Sequence, residues 1–280
     1  MKKKIFLLGI LFVFIIKFLF FNEFIYNDNK INIEKFNYSI NNINEINISL
    51  TNANVEIIYG DVNDINVILT QNIIETETKK MTSFQDGNIL TISEFKKKQE
   101  FFPFYQFGTA QIIIPKNQVI NNLSINGEAI NLINNISINN FKINVDSLSG
   151  KINNIIKNME INFKKGELNI DNATIEKEKI TTESGEINIY NSNIFDFEIN
   201  ASKKAILKTN HLFSKNIVMN GYYKYIEFIA NKNNNIQVKN SKINQTNLVE
   251  KAGEYFNTTD TKSTMVVDMN GIKINKFIVD

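Results

Sequence analysis

The sequence predicts an all-β chain wound as a β-solenoid, a stack of short coils like a single-stranded β-helix, preceded by an N-terminal transmembrane helix. Three observations lead there. Glycine-opened segments recur every ~16 to 23 residues, about one solenoid turn: Gly127-Glu128-Ala129-Ile130-Asn131-Leu132, Gly150-Lys151-Ile152-Asn153, Gly166-Glu167-Leu168-Asn169-Ile170 and Gly185-Glu186-Ile187-Asn188-Ile189. Within each, aliphatic residues alternate with Asn or Glu, the period of a pleated strand with one buried face. Finally, Lys2, Lys3 and Lys4 precede an apolar run over residues 5–21.

Composition supports a packed structure of near-zero net charge. The 280 residues are 43% apolar and 11% aromatic, enough for a real core. Thirty-one basic residues against 29 acidic ones leave a net charge of +2, so no global field draws nucleic acid. The absence of cysteine excludes disulfides, thiolate metal sites, cysteine nucleophiles and lipidation at an N-terminal cysteine. The abundance of Asn is also what an AT-rich genome yields and carries little functional weight.

In chain order, residues 1–22 form a signal anchor. Lysines before an apolar stretch keep the N-terminus cytoplasmic and place the remainder outside the cytoplasm of a bacterial cell. Phe20-Phe21-Asn22-Glu23-Phe24-Ile25-Tyr26 offers no small-residue cleavage site, so the anchor is expected to stay; a cleaved signal and a secreted domain is the alternative. Lys17 can snorkel to the outer interface of a helix slightly short for a bilayer. Residues 23–42 read as a polar tether, and residues 43–280 as the solenoid domain.

The first ordered block reads as antiparallel strands: Ile46-Asn47-Ile48-Ser49-Leu50, Val55-Glu56-Ile57, Ile65-Asn66-Val67-Ile68-Leu69 and Ile89-Leu90-Thr91-Ile92. Tyr59-Gly60-Asp61 and Asp86-Gly87-Asn88 supply positive-φ turn positions between them, and Ile112-Ile113-Ile114 ends at Pro115, which lacks a donor. The glycine repeat follows, with Gly127, Gly150, Gly166 and Gly185 as structural turns. Leu168, Ile170, Ile187 and Ile189 face inward, while Glu167, Asn169, Glu186 and Asn188 face outward. Phe141-Lys142-Ile143-Asn144-Val145 and Phe195-Asp196-Phe197-Glu198-Ile199 serve as return strands, about two strands per coil. Residues 247–255 suit a helical turn, and Thr264-Met265-Val266-Val267 with Gly271-Ile272-Lys273-Ile274 form a last hairpin or coil over the open end.

Asn52-Ala53-Asn54-Val55-Glu56-Ile57, Ala110-Gln111-Ile112-Ile113-Ile114-Pro115 and the Ser184-Gly185-Glu186-Ile187-Asn188-Ile189 coil resemble the bacterial putative-adhesin domain over roughly residues 43 to 280. That resemblance implies a noncatalytic β-solenoid on the cell envelope. It transfers no catalytic residue, because the matching positions are turn glycines and core aliphatics.

The residues themselves offer little catalytic chemistry and no cofactor motif. His211 is the single histidine and lies in a turn-like Lys208-Thr209-Asn210-His211-Leu212; no Gly-x-Ser-x-Gly elbow or phosphate loop occurs. The enzymatic alternative is a carbohydrate-active β-helix, a polysaccharide lyase or hydrolase, drawing carboxylates from adjacent coils. Glu128, Glu167 and Glu186 follow the glycines at matching positions, but Lys151 interrupts the row and stacked glutamates read as a solvated ladder. Asp146, Asp171 and Asp196 fall at different phases and are not expected to converge.

The candidate contact surface is Lys96, Lys97 and Lys98 followed by Phe101, Phe102, Phe104 and Tyr105 around Pro103. Basic residues beside aromatics suit an anionic membrane surface or a partner's groove, whereas the plainer reading is a cap over the solenoid core. Together these features predict a membrane-tethered structural, adhesion or ligand-binding module outside the cytoplasm. Its expected partners are the membrane, an envelope protein, a lipid surface or a glycan.

Overall fold

A strand that alternates aliphatic and polar residues buries its apolar side only if something covers it, and here the cover is the rest of the same coil. The computed structural model describes residues 30–40, 43–73, 79–96, 108–116, 118–231, 235–239, 242–251, 254–256, 264–268 and 273–279. These form strands β1 (Lys30–Tyr38), β2 (Glu45–Gly60), β3 (Ile65–Ile73), β4 (Lys79–Asp86), β5 (Ile89–Lys96), β6 (Gly108–Pro115), β7 (Ile120–Asn134), β8 (Ile138–Thr182), β9 (Glu186–Tyr190), β10 (Asn193–Leu212), β11 (Asn216–Ala230), β12 (Asn235–Lys239), β13 (Lys242–Thr246), β14 (Val249–Lys251), β15 (Glu254–Phe256), β16 (Thr264–Asp268) and β17 (Lys273–Val279). Among the described residues no helix is long and apolar enough to cross a membrane, and the expected anchor over residues 1–22 lies outside them.

The coils stack in parallel register at intervals of 18 to 20 residues: Ile120 pairs with Ile138, Glu167 with Glu186, and Asp196 with Asn216. Each coil turns three sides to the core rather than the expected two, because the inward phase of the burial pattern shifts three times per turn. The first face buries Leu123 and Ile125, then Phe141, Ile143 and Val145, then Met159, Ile161 and Phe163, then Phe197 and Ile199. The second buries Ile130 and Leu132, Leu168 and Ile170, Ile187 and Ile189, and Ile226 and Phe228. The third is short, contributing Ile136 and Ile138, Ala173 and Ile175, or Leu212 and Ser214. One or two inward residues make too little alternation to recognise in sequence, which is why this face was missed.

The corners explain the punctuation. Between second and third faces the chain enters the left-handed region at Asn154 (φ 88), Asn172 (φ 53), Asn191 (φ 48) and His211 (φ 55). Asn tolerates that conformation better than most side chains, so part of the Asn content is structural. Between first and second faces glycine recurs because the coil beneath is too near for a side chain. A Cβ on Gly127 would lie 2.2 Å from the Leu50 carbonyl oxygen, one on Gly166 (φ +118) 1.9 Å from that of Leu148, and one on Gly185 2.1 Å from the Phe163 ring. Gly150 is a correction. It lies within β8 on the second face, beside Leu148 and Leu168, and the corner of its coil passes through Asp146 and Ser147 instead.

The N-terminal block is only partly antiparallel. β2 is itself a coil, paired in parallel with β7 on one side and with β5 and β6 on the other. The antiparallel pairs are β4–β5, turned at Gly87 (φ +57) as expected, and β1–β3–β6. β1 occupies residues read from the sequence as tether, so order begins well before residue 43. Gly60 ends β2 without a positive φ; it is packed against the Ile113 side chain. At the other end β16 and β17 each pair in parallel with β11, forming two sides of a coil rather than a hairpin, and residues expected to be helical form β14 and β15. The connection through residues 269–272 lies outside the described residues.

Two comparisons test this architecture by denaturant unfolding. Gly166→Ala is expected to cost more than about 3 kcal/mol, since it adds a backbone clash to a strained φ, whereas Gly150→Ala, facing only side chains at 3.1 Å or more, costs clearly less. Ile187→Asp removes more than about 4 kcal/mol by placing a carboxylate where the side chain is fully buried.

Candidate binding groove

The surface expected to make contacts falls mainly outside the described residues. Lys96 closes β5 opposite Lys79, while Lys97, Lys98, Phe101, Phe102, Phe104 and Tyr105 are not described. His211 sits at an exposed corner, as its neighbours suggested.

The carboxylate row after the glycines is a neutralised ladder. Glu167 and Glu186 pair in register on the outside of the second face. Asn169 and Asn188 donate to Glu167 Oε1 at 2.9 and 3.1 Å, and Lys208 reaches Glu186 Oε1 at 2.7 Å. That lysine bond holds the Glu186 carboxyl below its ordinary value despite partial burial. Asn188 points outward as expected yet is buried, because neighbouring coils close over it. Asp146, Asp171 and Asp196 stay apart: Asp146 pairs with Lys164 at 2.8 Å at a corner, Asp171 ends the second face, and Asp196 begins the first.

The first face carries a recess, a groove of about 860 Å³ running across the strands parallel to the solenoid axis. It crosses seven neighbouring segments, 45–47, 122–124, 140–142, 158–160, 177–179, 196–198 and 216–218, so six steps of ~4.8 Å give a length of about 29 Å. One wall is a column of polar side chains, four of the seven being the amides of Asn122, Asn140, Asn158 and Asn216. Asn140 donates to Asn122 Oδ1 at 2.9 Å, Asn158 to Asn140 Oδ1 at 2.8 Å and Asn216 to Asp196 Oδ1 at 2.9 Å. The other wall is a column of paired charges, with Lys142 to Glu160 at 3.4 Å and Lys179 to Glu198 at 3.1 Å. Asn200 and then Lys179 lower the Glu198 carboxyl, so it holds no proton near neutral pH. Between the walls Leu123, Phe141, Met159 and Phe197 turn their side chains into the core.

Glu178 shares that interior position, in register with Phe197, and is 3% exposed. Neither carboxyl oxygen finds a hydrogen-bond partner among the described residues, and burial pushes its pKa well above the ordinary value. The run Glu176-Lys177-Glu178-Lys179 looks like a solvated charge run in sequence; the strand phase sends one of its members inside. The amide column had a legible signal, Asn122, Asn140 and Asn158 at constant 18-residue spacing, hidden by the general abundance of Asn.

A family model described as Toastrack DUF4097 matches residues 43–246. No curated protein matches the chain significantly. Among solved structures it is similar to a "putative lipid binding protein" from Parabacteroides distasonis, at 14% identity and TM-score 0.47 over 89% of this chain and 98% of that one. It is also similar to a "putative adhesin" from Bacteroides fragilis, at 10% identity and TM-score 0.43 over 91% and 99%. A "putative cell adhesion protein" from Clostridium sporogenes matches at 9% identity and TM-score 0.24 over 90% and 100%.

Glu178 sets a pH dependence with a definite sign. The unfolded chain releases this proton near 4.5 and the folded chain only at higher pH, so the contribution is fully present below 4.5 and is lost as pH rises through the folded value. Glu178→Met should therefore raise stability at pH 7 by about 2 kcal/mol or more and flatten that part of the profile, read from melts between pH 4 and 8. Glu167→Gln with Glu186→Gln should shift stability by less than about 1 kcal/mol, because the Lys208 pair is partly exposed and screened by solvent.

Proposed function

The chain belongs to the Toastrack DUF4097 family, and from that premise we propose that it is a noncatalytic, membrane-tethered module outside the cytoplasm that binds an envelope component along its first-face groove. The observation that carries this reading is the groove itself, a continuous recess spanning seven coils in which Lys142 is paired with Glu160, Lys179 with Glu198, and Asn122, Asn140 and Asn158 with one another. Such a surface is pre-organised for an extended ligand and costs little rearrangement on binding. The carbohydrate-active alternative is less well supported. A glycosidase needs one carboxyl poised to donate a proton into the cleft beside a second carboxylate. Here Glu198 is lowered by its partners, and the carboxyl whose pKa is raised, Glu178, faces the core.

Tethering rests on Lys2, Lys3 and Lys4 before the apolar run. The segment around Phe101, Phe102, Phe104 and Tyr105 is proposed as an accessory contact with the membrane or a partner. Two measurements check these assignments. The full chain should sediment with membranes after salt washing and retain its N-terminal peptide by mass spectrometry; a soluble form beginning near residue 25 defeats the anchor. Membrane-embedded full chain should capture isolated envelope material, and Ser124→Trp, which fills the groove, should abolish capture with an unchanged melting temperature. Retained capture would move the binding surface elsewhere.

A further inference from the structure

Resting on that reading of the groove, we infer that its ligand is a neutral, linear polysaccharide lying parallel to the solenoid axis, with one sugar unit per coil. The spacing argues first. Binding groups recur once per coil, at ~4.8 Å, so a ligand that uses them all must repeat at nearly the same interval. The ring-to-ring advance of an extended pyranose chain is close to that spacing; alternate rings of a β-1,4-linked chain are turned over, but each ring carries polar oxygens on both edges and so meets every coil with one. An extended peptide advances ~3.3 Å per residue and repeats a given side-chain direction every ~6.6 Å, so it falls out of phase within two or three coils.

The chemistry argues second. In the column Asn122, Asn140 and Asn158, each coil-to-coil bond uses one amide N–H and one oxygen lone pair. An amide has two of each, so each of these three coils keeps at least one amide donor and one acceptor not used in the column. A donor–acceptor pair repeated along a line is complementary to hydroxyl groups, each of which both donates and accepts. Charge argues third. Lys142, Lys177 and Lys179 line the groove together with Glu45, Glu160, Asp196 and Glu198, three charges against four, and a net of −1 over seven coils favours neither a polyanion nor a polycation. The paired lysines and carboxylates add further fixed donors and acceptors on the opposite wall.

The test is calorimetric titration of the full chain in detergent micelles with neutral β-1,4-linked oligosaccharides of glucose, mannose, xylose and N-acetylglucosamine, from two to seven units. Polygalacturonate serves as the anionic control and an extended Ser/Asn-rich peptide as the backbone control. At least one neutral series should bind with affinity that rises unit by unit toward the groove's length. Asn140→Ala with Asn158→Ala should weaken the longest member at least tenfold with an unchanged melting temperature. Ser124→Trp, outside the amide column, should do the same, so the inference does not depend on one variant folding.

Absence of binding by all four neutral series, binding independent of length, tighter binding of the polyanion or the peptide, or indifference to both variants would each overturn it. Envelope capture separates this inference from the broader one. If Ser124→Trp abolishes capture while no neutral oligosaccharide binds, the groove remains the binding surface and only its ligand class is wrong. If capture is also unaffected, both fail.

Discussion

The parallel register between successive coils is the constraint on which everything else depends. A coil of 18 to 20 residues returns each residue beside its counterpart at ~4.8 Å, and backbone hydrogen bonds hold it there. That spacing leaves no room for a Cβ where one coil's corner crosses the carbonyls of the coil beneath, hence Gly127, Gly166 and Gly221 against Leu50, Leu148 and Ala201. It also stacks like upon like, so that Asn131 donates to Asn54 Oδ1 and Asn220 to Asn200 Oδ1 through side-chain hydrogen bonds of 2.8 and 2.9 Å.

The same register makes a surface out of a repeat. A single strand offering Asn at one position and Lys or Glu two residues later has no recognition capacity. Stacked seven deep, it becomes two walls with a recess between them. On the second face identical logic gives a different result: Glu186, Lys208, Glu227 and Lys276 alternate in sign down the outside, with contacts of 2.7 Å at either end. These pairs are partly exposed and add little stability individually, but they remove the like-charge repulsion that stacked glutamates would otherwise suffer.

Glu178 departs from this consistency. Its neighbours in the interior column, Met159 and Phe197, are apolar, and a carboxyl there sacrifices solvation without gaining a partner. The large surrounding aliphatic core tolerates it, and burial pushes the carboxyl toward its neutral form.

Local residues determined much of this protein. Period-two alternation at Leu168, Ile170, Ile187 and Ile189 specified strands and their inward phase, the ~19-residue recurrence specified stacking, and Asp86-Gly87-Asn88 specified a hairpin, because each depends on neighbours a few residues apart. What sequence could not convey was decided by contacts between coils. Gly150 resembles its fellow glycines in sequence, yet faces the core of the second face, since phase within a coil is set by the coil below. β2 lies between β7 and the later strands β5 and β6, an order no local pattern encodes. Glu178 is buried although it sits between Lys177 and Lys179, and Asn188 is covered although it holds an outward position. The groove arises only when Asn122, Asn140 and Asn158, eighteen residues apart along the chain, are brought within hydrogen-bonding distance across the stack. Side-chain type and period are local properties, but a wall, a recess and a buried charge belong to the stack, and only tertiary structure could place them.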